Sequence, residues 1–319
     1  MEEIALRPAT SDDRPRIVEI SSQIWDGHDY VPELLDDWFG DAEGEVIGAF
    51  AGERFIGFAR RTWLAPGLAW FEGIRTDPAY RGRGVGRAIT EHLIGRAREV
   101  GASRIGLSTH VDNEASIHII ESYGFEKVAT FAYRERPPDA PPPASNVGPD
   151  PRIELVSEGE TVEYVADSSF LRLARGRFPR GWRFFPFDHD PCEAVARMGL
   201  RIGFRDGGHL KGLLCARWRP GESDHTVFNF VDGEPAAMRA LLHHALALYA
   251  GTEIAVMVPI SGGRAACAGP LLDELGFGSW SDGRADVLAY ELALGNGRMS
   301  VRRSTRMRSE VPRARVDQE

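Results

Sequence analysis

The sequence predicts a mixed α+β protein built from two similar units, each a central mixed, mostly antiparallel sheet flanked by helices. Three observations lead there. The first half reads as helix, hairpin, strand, helix, strand, helix, strand, an alternation that in one small domain implies a sheet with helices on its faces. The second half repeats the plan. Ile47-Gly48, Gly52 and Gly57 recur as Ile202-Gly203, Gly207 and Gly212 at a constant offset of 155, and Tyr123-Gly124-Phe125 is echoed by Leu275-Gly276-Phe277, which indicates an internal duplication. Between the halves lies RPPDAPPPASNVGPDP, residues 136–151, with seven prolines in sixteen positions. Proline lacks the amide donor and pushes the preceding residue out of the helical region, so this stretch reads as an extended, stiff linker. The expected organisation is a first domain over 1–135, a linker over 136–151, a second domain over 152–294 and a basic, disordered tail over 295–319. From Asn296 onward seven arginines face three acidic residues, with few apolar anchors.

Each element has a local reason. Thr10-x-x-Asp13 resembles a capping box, and Ile17, Ile20 and Ile24 follow at helical spacing. VIGAF and FIGFARR flank Gly52 as the strands of a hairpin, and LAWFEGIRT is the next strand. Ile89, Leu93, Ala97 and Val100 mark one face of a helix that stops at Gly101. RIGLST alternates as a strand, NEASIHIIES is a short helix and FEKVATFAYRE a closing strand. In the second half HTVFNFVDG, AAMRALLHHALALY and TEIAVMVP supply strand, helix and strand, and ADVLAYELAL closes that unit.

Composition bounds the function. With 319 residues, 43% hydrophobic and 27% charged, the chain has apolar mass for two soluble cores. No run approaches the ~20 apolar residues of a membrane span, and the acidic N-terminus lacks the apolar stretch of a secretory signal, so a cytoplasmic protein is expected. A net charge of −9 argues against a general nucleic-acid binder. Cys192, Cys215 and Cys267 are scattered, with no C-x-x-C pair, so neither a disulfide framework nor a metal site is expected.

The chemistry is concentrated in IRTDPAYRGRGVGRA, residues 74–88. A strand ends at Thr76, and Arg81-Gly82-Arg83-Gly84-Val85-Gly86 opens a helix. Glycines let the backbone turn tightly and approach a ligand. The first amides of a helix have no carbonyl partner, and the helix dipole adds positive potential there. Arg75, Arg81, Arg83 and Arg87 surround the turn, so the pattern reads as a pyrophosphate site. It lacks the G-x-G-x-x-G of a dinucleotide fold and the Gly-Lys-Ser/Thr of a P-loop.

The run resembles the acetyl-coenzyme A motif of the GNAT superfamily of N-acetyltransferases: Arg81, Gly84 and Gly86 occupy the places of Arg or Gln, Gly, and Gly or Ala. Asp112-Asn113-Glu114-Ala115 followed by Gly124-Phe125 resembles a later motif of that superfamily. Trp25-x-Gly27-x-Asp29-Tyr30-Val31-Pro32, Trp38 and Glu72-Gly73-Ile74-Arg75 are similar to segments of the histidine N-acetyltransferase group, whose members carry a second, degenerate unit.

The resemblance implies acetyl transfer from acetyl-coenzyme A to the primary amine of a small molecule, an amino acid such as histidine among the candidates, by direct attack in a ternary complex. It implies a sheet splayed beside Glu72–Thr76, with Ile74 and Thr76 pairing the pantetheine arm. Arg81, Gly82, Arg83, Gly84, Val85, Gly86, Arg87 and Ala88 would hold the diphosphate, with Arg75 close by and Asn113 near the pantetheine or acetyl group. Glu72 is the candidate base, the alternative being an ion pair with a neighbouring arginine; His28 and His118 are weaker candidates. Many relatives have an acidic Tyr where this chain has Ile120, which leaves Tyr123 or water to protonate the thiolate. Asp29, Tyr30, Glu72 and Arg75 are the candidate acceptor contacts, with Arg75 for a carboxylate and Asp29 or Glu72 for an ammonium group. In the second half, Asn229 to Pro235 keeps one glycine, and Asp232 and Glu234 would repel a diphosphate, so that unit is expected to have lost coenzyme binding and to wall the acceptor pocket. The competing readings are acetylation of a peptide or protein amine, and a module that senses acetyl-coenzyme A without turnover.

Overall fold

The computed structural model describes residues 3–141, 150–261, 264–265, 268–279 and 284–295; linker residues 142–149, Cys267 and the tail from Asn296 lie outside the described residues. The first segment runs β1 (Ile4–Pro8), α1 (Arg14–Ser21), α2 (Val31–Gly40), β2 (Glu45–Ala51), β3 (Arg54–Ala65), β4 (Leu68–Thr76), α3 (Val85–Glu99), β5 (Arg104–His110), α4 (Glu114–Ser122) and β6 (Glu126–Arg136). The second runs β7 (Ile153–Leu155), α5 (Glu158–Ala166), α6 (Ser169–Leu173), β8 (Arg177–Arg180), β9 (Arg183–Pro186), α7 (Pro191–Ala196), β10 (Leu200–Asp206), β11 (His209–Ala216), β12 (His225–Gly233), α8 (Pro235–Leu248), β13 (Glu253–Ser261), β14 (Arg264–Ala265), α9 (Gly269–Glu274), β15 (Gly278–Ser279) and β16 (Val287–Ala293). Among the described residues no helix is long and apolar enough to cross a membrane.

Local chemistry starts and stops these elements. The Thr10 amide donates to Asp13 Oδ2 at 2.9 Å, and Arg7 holds the same carboxylate at 2.8 Å, closing the capping box ahead of α1. Ile17 and Ile20 are buried on α1, whereas Ile24 lies past its end. On α3 the residues Val85, Ile89, Leu93 and Ala97 are buried at three- and four-residue spacing. Val100, expected on that face, lies beyond the last helical residue and is exposed, and Gly101 at φ +82° turns the chain away.

One sheet runs through both halves in the order β1-β2-β3-β4-β5-β16-β6-β13-β12-β11-β10-β7, with β14 on β13 and β15 on β6. Its pairs are antiparallel except β4 with β5 and β12 with β13. The seam has a particular construction. β16, expected to close the second unit, instead lies between β5 and β6, pairing Val287 with His110 and Ala293 with Arg104. The end of β6 in turn pairs with β13, from Phe131 with Pro259 to Arg136 with Ile254, and with β15 on its other side. The halves thus exchange their last strands across the middle of the sheet. A strand placed there pairs on both edges, which removes two open edges at once.

α3 and α4 cover one face of the first half over Ile47, Phe71, Ile105 and Leu107, joined by Leu288 and Tyr290 from β16. α1 and α2 cover part of the other face with Leu35 and Trp38 against Phe58. A third cluster joins the halves. Leu68, Trp70 and Phe131 of the first half pack with Phe170, Phe178 and Phe184 of the second, and the Phe131 and Phe184 rings stack at 4.6 Å. The β8–β9 hairpin therefore lies against the first half of the sheet.

Candidate active site

The site begins with a break in the sheet. Along β3 and β4 the register passes from Phe58–Arg75 to Arg60–Glu72, a bulge on β4 centred on Gly73 at φ +62°. A Cβ there would lie 2.3 Å from the Trp38 ring, so glycine is required by both backbone and space. The parallel pairing of β4 with β5 covers Leu68–Trp70 and Arg104–Gly106 and stops. From Phe71 to Thr76, the stretch that holds Ile74 and Thr76, β4 has no strand partner on its β5 side among the described residues.

The chain then turns into α3. Asp77 is buried, accepts from the Ala79 amide at 2.9 Å and pairs with Arg16 and Arg54. Gly82 at φ +73° and Gly84 at φ +87° shape the loop, and open space surrounds both Cα atoms. Val85, Gly86 and Arg87 stand in the first turn of α3, where helical amides have no carbonyl four residues back. Ala88 N already donates to Gly84 O at 2.9 Å. Arg81 has no ion-pair partner among the described residues. Arg83 stacks on Tyr80 at 4.9 Å, and Arg87 donates to Ser122 Oγ at 3.2 Å. Gly86 faces Ile119 of α4, and Asn113 caps α4, its side-chain oxygen accepting from Ser116 N at 3.3 Å. This end of the sheet offers helix amides, a positive dipole end and guanidinium groups to an anion.

Opposite α3 the side chains are heavily paired. Glu72 accepts from Arg60 at 2.6 Å and, bidentately, from Arg183 of β9 at 2.8 and 3.0 Å. Of the two readings left open for this carboxylate, the geometry contains the ion pair. Arg60 also binds Asp41. The Arg75 fork takes both oxygens of buried Asp29 at 2.8 and 3.0 Å, and its guanidinium lies 4.6 Å from the Trp25 ring and 5.6 Å from Tyr30. Trp25 and Tyr30 are 56% and 40% exposed, forming an aromatic lip over the pair. Trp25, Asp26 and Gly27 all have positive φ, local strain of the kind that clusters at ligand sites. Tyr123 Oη donates to Arg87 O and Glu91 Oε2, each at 3.3 Å, and burial together with the Glu91 charge raises its pKa.

Residues that sequence reasoning missed come from afar. Arg183 reaches Glu72 across 111 positions, and Ser108 Oγ donates to Trp182 O at 2.7 Å. Their local signal is only a hairpin turn at Gly181-Trp182. Asp77, also missed, had a local signal in its Asp-Pro pair, which caps the turn at Pro78–Tyr80.

Residues 13–125 match the family model described as "Acetyltransferase (GNAT) family". The chain is 28% identical over 131 residues to N-alpha-acetyltransferase RimI of Mycobacterium tuberculosis, covering 40% of this chain and 81% of that protein. It is 31% identical over 102 residues to mycothiol acetyltransferase of Propionibacterium freudenreichii, covering 30% of this chain and 32% of that one. The match likewise spans only 36% of an uncharacterised Mycobacterium leprae relative. In structure, a GCN5-related N-acetyltransferase from Sphaerobacter thermophilus superposes with a TM-score of 0.63 at 16% identity, over 91% of this chain and 95% of that one. At that identity the likeness is one of fold, and it extends through both halves. Residues 13–125 are therefore similar to the acetyltransferase domains of the GNAT family.

Proposed function

We propose that the protein transfers the acetyl group of acetyl-coenzyme A to the primary amine of a small molecule of the amino-acid class. One observation carries this reading: the unpaired β4 edge from Phe71 to Thr76 lies beside the open first turn of α3. In this reading the amides of Gly82 to Arg87 and the side chains of Arg81 and Arg83 hold the diphosphate, while Ala88 supports the turn. Ile74 and Thr76 pair the pantetheine arm, and Asn113 stands at its far wall. An amide of that edge polarises the thioester carbonyl as charge grows on its oxygen. The amine nitrogen attacks the carbonyl carbon, the C–S bond breaks, and the amine proton passes to water beside Glu72, which also receives the acceptor's ammonium group. Tyr123 protonates the departing thiolate once it leaves Glu91. Asp29, Tyr30 and Arg75 frame the acceptor, with Asp29 holding Arg75 in place.

The second half follows the same plan, with β10–β11–β12 and parallel β13 mirroring β2–β3–β4 and β5. Its counterpart of the coenzyme loop is filled from within. Asp232 accepts from Ser169 Oγ and Phe170 N, Glu234 pairs with Lys211, and α8 starts at Pro235. This supports a unit that has lost the coenzyme and serves as the wall of the acceptor pocket, as in the tandem arrangement of the histidine N-acetyltransferase group. The similarity to RimI favours a second reading, in which the acceptor is a protein N-terminus. The β8–β9 hairpin lying over Glu72 favours a small acceptor, since it covers the face a peptide would cross. The test is thiol release from acetyl-coenzyme A against panels of amino acids, other amines and peptides. Release dependent on small amines supports the proposal. Release with peptides only, or coenzyme binding without any turnover, overturns it.

A further inference from the structure

The second half brings more positive charge to the acceptor face than the site's own carboxylates balance. Arg180 and Arg183 are direct partners in the β8–β9 hairpin, so their side chains leave the same face. Like charges in that position oppose strand pairing. Arg217 Nη1 lies against the turn of the same hairpin, 3.4 Å from where a Cβ at Gly181 would stand. Two of the three lie over aromatic rings: Arg180 lies 3.7 Å over Phe185 and Arg217 lies 4.2 Å over Trp218. A guanidinium so placed keeps its N–H edge available for a planar anion.

The carboxylates nearby are too few. Glu72 serves Arg183 and Arg60 together. Glu193 stands at 3.6 Å from Arg180 and 3.8 Å from Arg197, longer than a charge-assisted hydrogen bond. Arg217 has no ion pair among the described residues. Burial, with Arg197 and the neighbouring arginines adding repulsion, pushes the Arg180 guanidinium down to about 10. A half-buried cluster of this kind, in a chain of net charge −9, is stabilised by an anion from outside.

We propose that Arg180 and Arg217, beside the Arg183 whose fork Glu72 fills, form a carboxylate subsite, so that the acceptor is an amine bearing a carboxylate, with its ammonium on Glu72 and its carboxylate on these two arginines. The inference rests on the acetyltransferase reading and deepens it. It moves the carboxylate partner away from Arg75, whose fork Asp29 already fills.

The experiment compares amino acids with their decarboxylated amines, and with phosphoethanolamine, as acceptors for wild type, R180Q and R217Q. Arg217 lies on the surface, so its variant is the safer in folding. The expected result is a wild-type kcat/KM preference for the carboxylate of about 10- to 100-fold, the range of one charge-assisted contact. In both variants the ratio falls toward one, chiefly through KM for the amino acid. A wild type that prefers neutral amines or phosphoethanolamine, or variants that keep the full ratio, overturns the subsite. Calorimetry of the amino acids against the coenzyme-bound protein separates the two claims. Binding that weakens in R217Q without any thiol release leaves the subsite standing and removes the acetyl transfer, whereas turnover without carboxylate preference does the reverse.

Discussion

At the scale of single residues, the site depends on a few atoms whose surroundings leave little choice. Gly84 sits at φ +87° with open space around it, so a side chain there meets strain, not collision. Gly84→Glu adds a carboxylate to an anion site and is expected to weaken coenzyme binding by at least about 30-fold, while Gly84→Ala, which carries only the strain of about 1 kcal/mol, weakens it less. Calorimetry giving equal affinities for wild type and the Glu variant would remove the loop from coenzyme binding. Glu72 is 10% exposed between two guanidinium groups. Glu72→Gln strips both of their counter-charge and is expected to cost about 2 kcal/mol of stability, since breaking a partly buried pair leaves charge uncompensated. It should also lower turnover at least about 10-fold with coenzyme affinity kept. Urea melts and steady-state rates matching wild type would relieve Glu72 of both roles.

Elements carry the next level of explanation. β4 pairs on both sides up to Trp70 and on one side only from Phe71, with the bulge at Gly73 inside that one-sided stretch. The bulge turns the strand from β5 and aims Ile74 to Thr76 at the opening. Gly73→Ala places a methyl group into the Trp38 ring at a positive φ, two penalties that together come to about 2–3 kcal/mol. The expected outcome is a lowered urea midpoint and a raised KM for the coenzyme. A variant with wild-type midpoint and KM would mean that the bulge is not what shapes the opening. The β8–β9 hairpin is the corresponding element on the other side, two short strands that deliver Trp182 and Arg183.

The molecule as a whole is held by its exchanged strands, and Asp286 sits at their seam. Its carboxylate is fully buried, accepts from Tyr133 N at 2.7 Å through one oxygen and has no partner among the described residues for the other. Burial raises its pKa from 3.8 to about 6. Between those values the folded chain holds a proton that the unfolded chain has released. This contribution therefore favours folding as pH falls from about 6 toward 4 and is lost as pH rises through about 6. Asp286→Asn keeps the acceptor and removes the charge. It is expected to gain about 3 kcal/mol at pH 8, since each tenfold change in proton affinity is worth roughly 1.4 kcal/mol, with the gain vanishing near pH 4. A gain that is absent at pH 8, or the same at both pH values, would show that the buried charge does not strain the seam.

Periodicity and turn chemistry in the sequence already contain most of the elements, because apolar spacing, glycine at positive φ and capping side chains act over a few residues. The Thr10–Asp13 box, the stop at Gly101 and the turn from Thr76 through Gly84 into α3 were legible this way. The ionic state of the site was not. Arg183 on Glu72, Asp29 on Arg75 and β16 between β5 and β6 join positions 111, 46 and about 180 residues apart. Such contacts are chosen by which surfaces the folded sheet brings together, and no local pattern records them. The chain alone determined the strand, the glycine loop and the helix that follows it. Only the tertiary structure decided which charges face them, because long-range pairing is selected by burial of the common core that both halves build.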